Sequence, residues 1–307
     1  MTRQDRSAKL RDDLGQLLGP SFLQKGLMNP ETIGIKEAFG WVLETLRFTA
    51  PDGEAVQAYF FRPPEGTAPV PAVIYAHAHG NRYAFGKDEL FEGRPTLQGA
   101  YAKVLMTAGI AALCIEMPCF GDRQQPDEST RAKAKLWRGD TLFGQMLSEQ
   151  RAGLDFLENH PAIDKSHLGA IGFSMGSTLT FWLAALDHRI RAAAALCSFA
   201  DLDTLIQTGA HDGHGIYMSV PGLTQAASTG EIAGLTAPRA LQICAGLKDW
   251  STPSEALRIG LQDLEAAYRS QDALEHLYVH IDPDCDHAET PEMRADVLSF
   301  LKKELYG

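Results

Sequence analysis

The chain has no apolar run long enough to cross a bilayer, which excludes a helical membrane span. Its opening residues, Met1 to Arg11, are polar and show neither an apolar segment nor a cleavage pattern, so no secretory signal is expected. Positive charge is scarce. Lys and Arg number 28 against 39 Asp and Glu, a formal net charge of -11. That balance argues against nucleic acid or an anionic membrane surface as a partner. Cysteine is sparse and odd in number: Cys114, Cys119, Cys197, Cys244 and Cys285, mostly inside apolar runs. No disulfide framework follows from that, and reduced core thiols of a cytoplasmic protein are expected. Internal repeats and low-complexity stretches are also missing. What is present is ordinary for a globular protein: 307 residues, 45% hydrophobic and 22% charged. One α/β domain reaches this length, so a second is not required.

Periodicity divides the chain in two. Residues 1–40 read as an N-terminal helical extension. Two strand-like runs follow, 42–49 and 55–62, turned by Pro51-Asp52-Gly53. From Val70 onward short apolar strands alternate with helical patterns. Strands are expected at 72–78, 110–117, 168–173, 191–199, 240–245 and 274–281, and helices at 97–108, 140–159, 253–270 and 290–305. Such alternation implies right-handed crossovers and a mostly parallel central sheet with helices on both faces. The early hairpin suggests an antiparallel N-terminal edge. Residues 41–307 are therefore expected to form the main domain. Two long insertions, near 119–139 and 208–237, read as lid-like loops.

Gly172-Phe173-Ser174-Met175-Gly176 is the most informative motif. It joins an apolar strand to an apolar helix, the context of the nucleophile elbow in an α/β-hydrolase fold. A serine there sits on a strained turn, and the flanking glycines let strand and helix approach closely.

An alcohol needs a base to take its proton, and the base needs an acid to fix its tautomer. In the order Ser, acid, His, the acid follows a late strand and the base comes last. Asp249, past the strand ending near Ala245, is the expected acid, and His287, past the strand ending near Ile281, the expected base. Asp201 and Asp203, after the preceding strand, remain rivals for the acid role. Two backbone donors should face the developing oxyanion: the N–H of Met175 and the N–H of Asn81, in the loop His77-Ala78-His79-Gly80-Asn81-Arg82.

On His79-Gly80, the Gly172–Gly176 elbow, Asp249 with Thr252-Pro253, and His287 before the last helix, the chain resembles the α/β-hydrolase superfamily, nearest its dienelactone-hydrolase and acetyl-xylan-esterase-like branch. The resemblance runs from about Val42 to Leu305. It implies a Ser174, Asp249, His287 triad. Dienelactone hydrolases proper carry a cysteine nucleophile. Ser174 in its place turns the reading toward a serine esterase.

The remaining polar and aromatic residues carry weaker signals. His77 and His79, with His211 and His214, could chelate a metal, but no metal-ligand pattern such as a Cys cluster accompanies them, so no catalytic metal is expected. Cys119 and Cys285 lie near the expected active face, with inert burial the default. His79, Arg82, Trp137 and Tyr217 are candidates for the substrate pocket, with Phe143 and Met218 beside them. Arg82, Lys87 and Arg123 could meet an acidic substrate group. The expected activity is hydrolysis of a small or short-acyl carboxylic ester through an acyl-enzyme, without a cofactor and with a small-molecule ester as the partner. Homo-oligomers are left open. A peptidase or amidase of the prolyl-oligopeptidase-like type is the alternative enzyme, and a non-catalytic ligand-binding protein the alternative of another class.

Overall fold

A computed structural model describes residues 3–307. Nine strands form one sheet: β1 (Met28–Ala38), β2 (Trp41–Thr49), β3 (Ala55–Arg62), β4 (Val70–Ala76), β5 (Ala111–Ile115), β6 (Ile163–Phe173), β7 (Ile190–Leu196), β8 (Ala240–Gly246) and β9 (Leu277–Asp282). Their spatial order is β1-β2-β3-β5-β4-β6-β7-β8-β9. The first three strands and β5 pair antiparallel, and β5, β4 and β6 to β9 run parallel.

The central strands are apolar on both faces because helices cover both. Alternate residues of β4 separate accordingly. Ala72, Ile74 and Ala76 face one core with Leu113 and Leu179, while Val73 and Tyr75 face the other with Phe173 and Phe300. The long helix Leu142–Asn159 and the elbow helix Met175–Leu186 supply the first face. The closing helix Pro291–Tyr306 covers the second. All five cysteines are free and buried. Among the described residues, no helix is long and apolar enough to cross a membrane.

The N-terminal segment departs from the helical extension expected over 1–40. A helix does run from Arg3 to Leu18, followed by a short one over Pro20–Leu23, but Met28–Ala38 is a strand. It is the sheet's edge, so nearly every residue stays in solvent, and Pro30, Gly34, Glu31 and Lys36 mask its strand character. Nor does the segment hang free. Leu14, Leu18, Phe22 and Leu27 are buried in the first core. The Arg11 guanidinium donates to the Ala185 carbonyl at 2.9 Å and to that of Leu235 at 2.6 Å.

Candidate active site

The serine is positioned by backbone geometry. Ser174 sits at φ 57°, ψ -120°, a conformation side chains rarely adopt, and its N–H donates to the Leu196 carbonyl on β7 at 2.9 Å. The flanking glycines are sterically required. A Cβ on Gly172 would lie 2.4 Å from the Gly176 backbone, and one on Gly176 would lie 1.9 Å from the Ala76 carbonyl oxygen. The strain lifts the Ser174 side chain off the sheet, half-buried, at the carboxyl end of β6.

Two loops converge on it. His287 Nε2 lies 3.0 Å from Ser174 Oγ, and His287 Nδ1 lies 2.8 Å from Asp249 Oδ2. The other carboxylate oxygen of Asp249 accepts from the Ser251 N–H at 2.8 Å and from its hydroxyl at 2.7 Å. Ser251 Oγ also stands 3.0 Å from His287 Nδ1. Burial alone would raise the Asp249 pKa. The hydrogen bond and charge of His287, with the Ser251 donors, outweigh it and hold the carboxyl below its usual range. The rings of Phe173 and Trp250 flank the imidazole, with centroids 5.0 and 5.9 Å away.

The rival acids are employed elsewhere. Asp201 caps the helix Leu202–Thr208, accepting from the Thr204 N–H at 2.9 Å. Asp203 is exposed and accepts from the Gln207 side chain.

A chamber of about 100 Å³ surrounds Ser174, walled by Met175, His79, Asn81, His214, Tyr217 and Trp250 among others. Met175 opens the elbow helix, so its N–H has no intrahelical partner. Asn81 stands in the wall as expected, but its N–H is not free: it donates to His79 Nδ1 at 3.0 Å. The cause lies on the other side of the ring. His79 Nε2 lies 2.6 Å from Glu128, which also accepts from the Tyr83 hydroxyl at 2.8 Å and the Tyr217 N–H at 2.9 Å. An acceptor at Nε2 fixes the proton there and leaves Nδ1 to accept from Asn81. Burial opposes charge on Glu128, but these donors hold its carboxyl below the ordinary value.

Thus the insertion 119–139 is no plain loop. It contains the helix Glu128–Leu136, whose first residue is a buried carboxylate joining the His79 loop to the insertion 208–237.

Of the pocket candidates, His79 and Tyr217 are buried in the wall and stack at 5.7 Å. Arg82 and Trp137 are not brought there. Arg82 is exposed and lies over the Phe85 ring, and Trp137 is 91% exposed at the far end of the helix that turns Glu128 inward. Phe143 packs edge-on against Trp182 in the core. Lys87 and Arg123 are buried in ion pairs with Glu116 at 3.0 Å and Glu149 at 2.6 Å, which removes them from substrate contact. Cys119 is buried, which pushes its thiol up to about 12, and Cys285 donates to the Ala288 carbonyl. His77 is wholly buried. Its Nδ1 donates to the Ala78 carbonyl and its Nε2 accepts from the Met117 N–H, so neither nitrogen is free for a metal. Among the described residues, no group of three or more His, Cys, Asp or Glu is placed to hold a metal ion. Sequence reasoning weighed His214 only as a metal ligand, and it missed Glu128, Trp250 and Ser251. Only the last two carried a signal, their place directly after Asp249.

A family model described as "Esterase FrsA-like" matches residues 29–212, more than half of the chain and including the elbow. The chain belongs to the FrsA-like esterase family. YtaP of Bacillus subtilis (strain 168), named as a hydrolase, is 34% identical over 299 residues, covering 97% of this chain and 99% of YtaP. Among solved structures, a glucuronoyl esterase from Solibacter usitatus superposes with a TM-score of 0.72 at 14% identity, covering 100% of this chain and 94% of that one. Acetyl xylan esterase 1 from Thermoanaerobacterium sp. JW/SL YS485 gives 0.63 at 16% identity, covering 100% and 99%. At those identities the likeness is one of fold, and the fold is that of the α/β-hydrolases. As an FrsA-like esterase the chain is a carboxylic ester hydrolase.

Proposed function

We propose that this esterase works through a serine acyl-enzyme. Ser174 Oγ attacks the ester carbonyl carbon as His287 Nε2 takes the hydroxyl proton. Asp249 holds Nδ1–H toward itself, keeping Nε2 an acceptor, and stabilises the imidazolium. The tetrahedral intermediate collapses, His287 returns its proton to the departing alkoxide, and an alcohol leaves. Water then attacks the acyl-serine with His287 as base again, releasing the acid and restoring Ser174. No step calls for a cofactor.

The developing oxyanion meets the Met175 N–H, and a second donor is the Asn81 N–H, which must be shared with or released from His79 Nδ1 as charge builds. The observation that carries the reading is the pair of imidazole contacts, 3.0 Å to Ser174 and 2.8 Å to Asp249. The chamber of about 100 Å³ favours a small acyl group, acetyl included. Five free, buried thiols support a cytoplasmic location.

Fluorophosphonate labelling tests enzyme against receptor: the native chain should be labelled at residue 174, and Ser174→Ala should not. Ser174→Ala should also lower p-nitrophenyl acetate turnover by about 10⁴- to 10⁶-fold with the fold intact. Substantial residual activity would remove Ser174 from the mechanism. Faster cleavage of p-nitroanilides than of p-nitrophenyl esters would favour an amidase.

A further inference from the structure

Beside the chamber lies a groove of about 560 Å³, a volume common for small-ligand sites (about 300–1,000 Å³). Ile206, Ile216, Met218, Val220 and Leu223 line it, an apolar surface that no part of the proposed reaction uses. The groove adjoins the chamber. His214 and Gly215 stand in the walls of both, and a narrow buried gap past Ser198, Trp182 and Met218 runs beside them.

Its direction is set by His214. That ring is anchored by Nε2 at 2.9 Å from the Ser251 carbonyl, next to Asp249. It faces Trp250 at 6.5 Å, and Trp250 faces His287 at 5.9 Å. Through Trp250 the entrance residue His214 is linked to His287, the ring beside the leaving oxygen. His287 hands its proton to the leaving oxygen, so an arm extending from that oxygen meets His214 first. Burial lowers the His214 pKa, which keeps this entrance uncharged near neutral pH.

We propose that the groove is the binding site for an apolar alcohol arm, making the substrates short-acyl esters of medium-length apolar alcohols. This rests on the serine-esterase reading above. The acyl group occupies the small chamber, and the alkyl or aryl part of the alcohol passes His214 and lies along Met218 and Leu223 to Ile206 at the rim.

Two substrate series test it. In alkyl acetates from methyl to octyl, kcat/KM should rise by about threefold per methylene before levelling, the return of a partly buried CH2. In p-nitrophenyl esters from acetyl to octanoyl it should fall beyond butyryl. Ile206→Asp places a charge at an exposed rim position that folding tolerates, and should cut the octyl-to-methyl preference by about tenfold. A flat alkyl series, a preference that grows with the acyl chain instead, or an Ile206→Asp variant with the native octyl-to-methyl ratio would overturn the assignment. Absence of both ester turnover and labelling at Ser174 would instead sink the serine mechanism, and the groove's role with it.

Discussion

Asp249→Asn is the substitution whose consequence the geometry specifies most closely. The carboxylate divides its work: Oδ1 faces the Ser251 N–H and hydroxyl, and Oδ2 faces His287 Nδ1. An asparagine must place its NH2 at one of these positions. On the Oδ1 side it would oppose the Ser251 N–H, donor against donor. It therefore turns its NH2 toward His287, which can accept only by moving its proton to Nε2. Nε2 then donates to Ser174 Oγ and no longer serves as a base.

The fold loses little, since shape and most hydrogen bonds survive. Turnover should fall by about 10⁴-fold, or about 5.5 kcal/mol in the barrier, the scale seen when a triad acid becomes an amide. KM should move little. Asp201→Asn is the matched control. Its side-chain oxygen can still accept the Thr204 N–H, asparagine caps as well as aspartate, and activity should stay within a few-fold of native. Stopped-flow hydrolysis of p-nitrophenyl acetate near pH 7.5 measures both. If Asp249→Asn retained more than a tenth of native kcat, or if Asp201→Asn lost more than Asp249→Asn, the tautomer argument would fail.

Three further outcomes follow from separate features. Glu128→Gln puts an amide donor against either His79 or the Tyr217 N–H. It should cost about 2 kcal/mol of stability and lower kcat more than it raises KM, read by thermal melting and steady-state kinetics. Unchanged kcat would show that the His79 loop needs no such anchor. Gly176→Ala drives a methyl into the Ala76 carbonyl and should destabilise by about 3 kcal/mol or more, measured by urea unfolding. Burial lowers the His77 pKa from an ordinary 6.5 to about 4, so the unfolded chain binds this proton first as pH falls. Its contribution is full above pH 6.5 and lost progressively toward pH 4, by up to about 3 kcal/mol. A His77→Gln variant should show a shallower loss of melting temperature over that window, and an identical slope would remove His77 as the cause.

How much of this could be read from the sequence depended on whether a feature was local. The elbow was legible because its five residues encode their own turn. Asp249 and His287 were legible because each follows a short apolar strand directly, and open parallel sheets place such loops at one edge. The strand Met28–Ala38 was not, since an edge strand needs no alternating apolar face and this one has almost none. Glu128 was hidden for another reason. An acidic residue in the first turn of a helix is ordinary, and only the fold turns it toward His79, 49 positions earlier. Without that contact the tautomer of His79, and so the occupied state of the Asn81 N–H, has no trace in the sequence. Arg82 and Trp137 misled because residue type marks a pocket wall only when the backbone points inward.

The tie at Glu128 also bears on redesign. Substrate range in an enzyme of this kind would ordinarily be altered by exchanging one surface insertion for a homologue's. Here a single acceptor is read by a donor from the neighbouring insertion and two from the loop beneath it, so the two insertions form one exchangeable unit. A chimera that replaces 208–237 alone has to retain a main-chain donor where Tyr217 stands, and one that replaces 119–139 alone has to bring its own carboxylate.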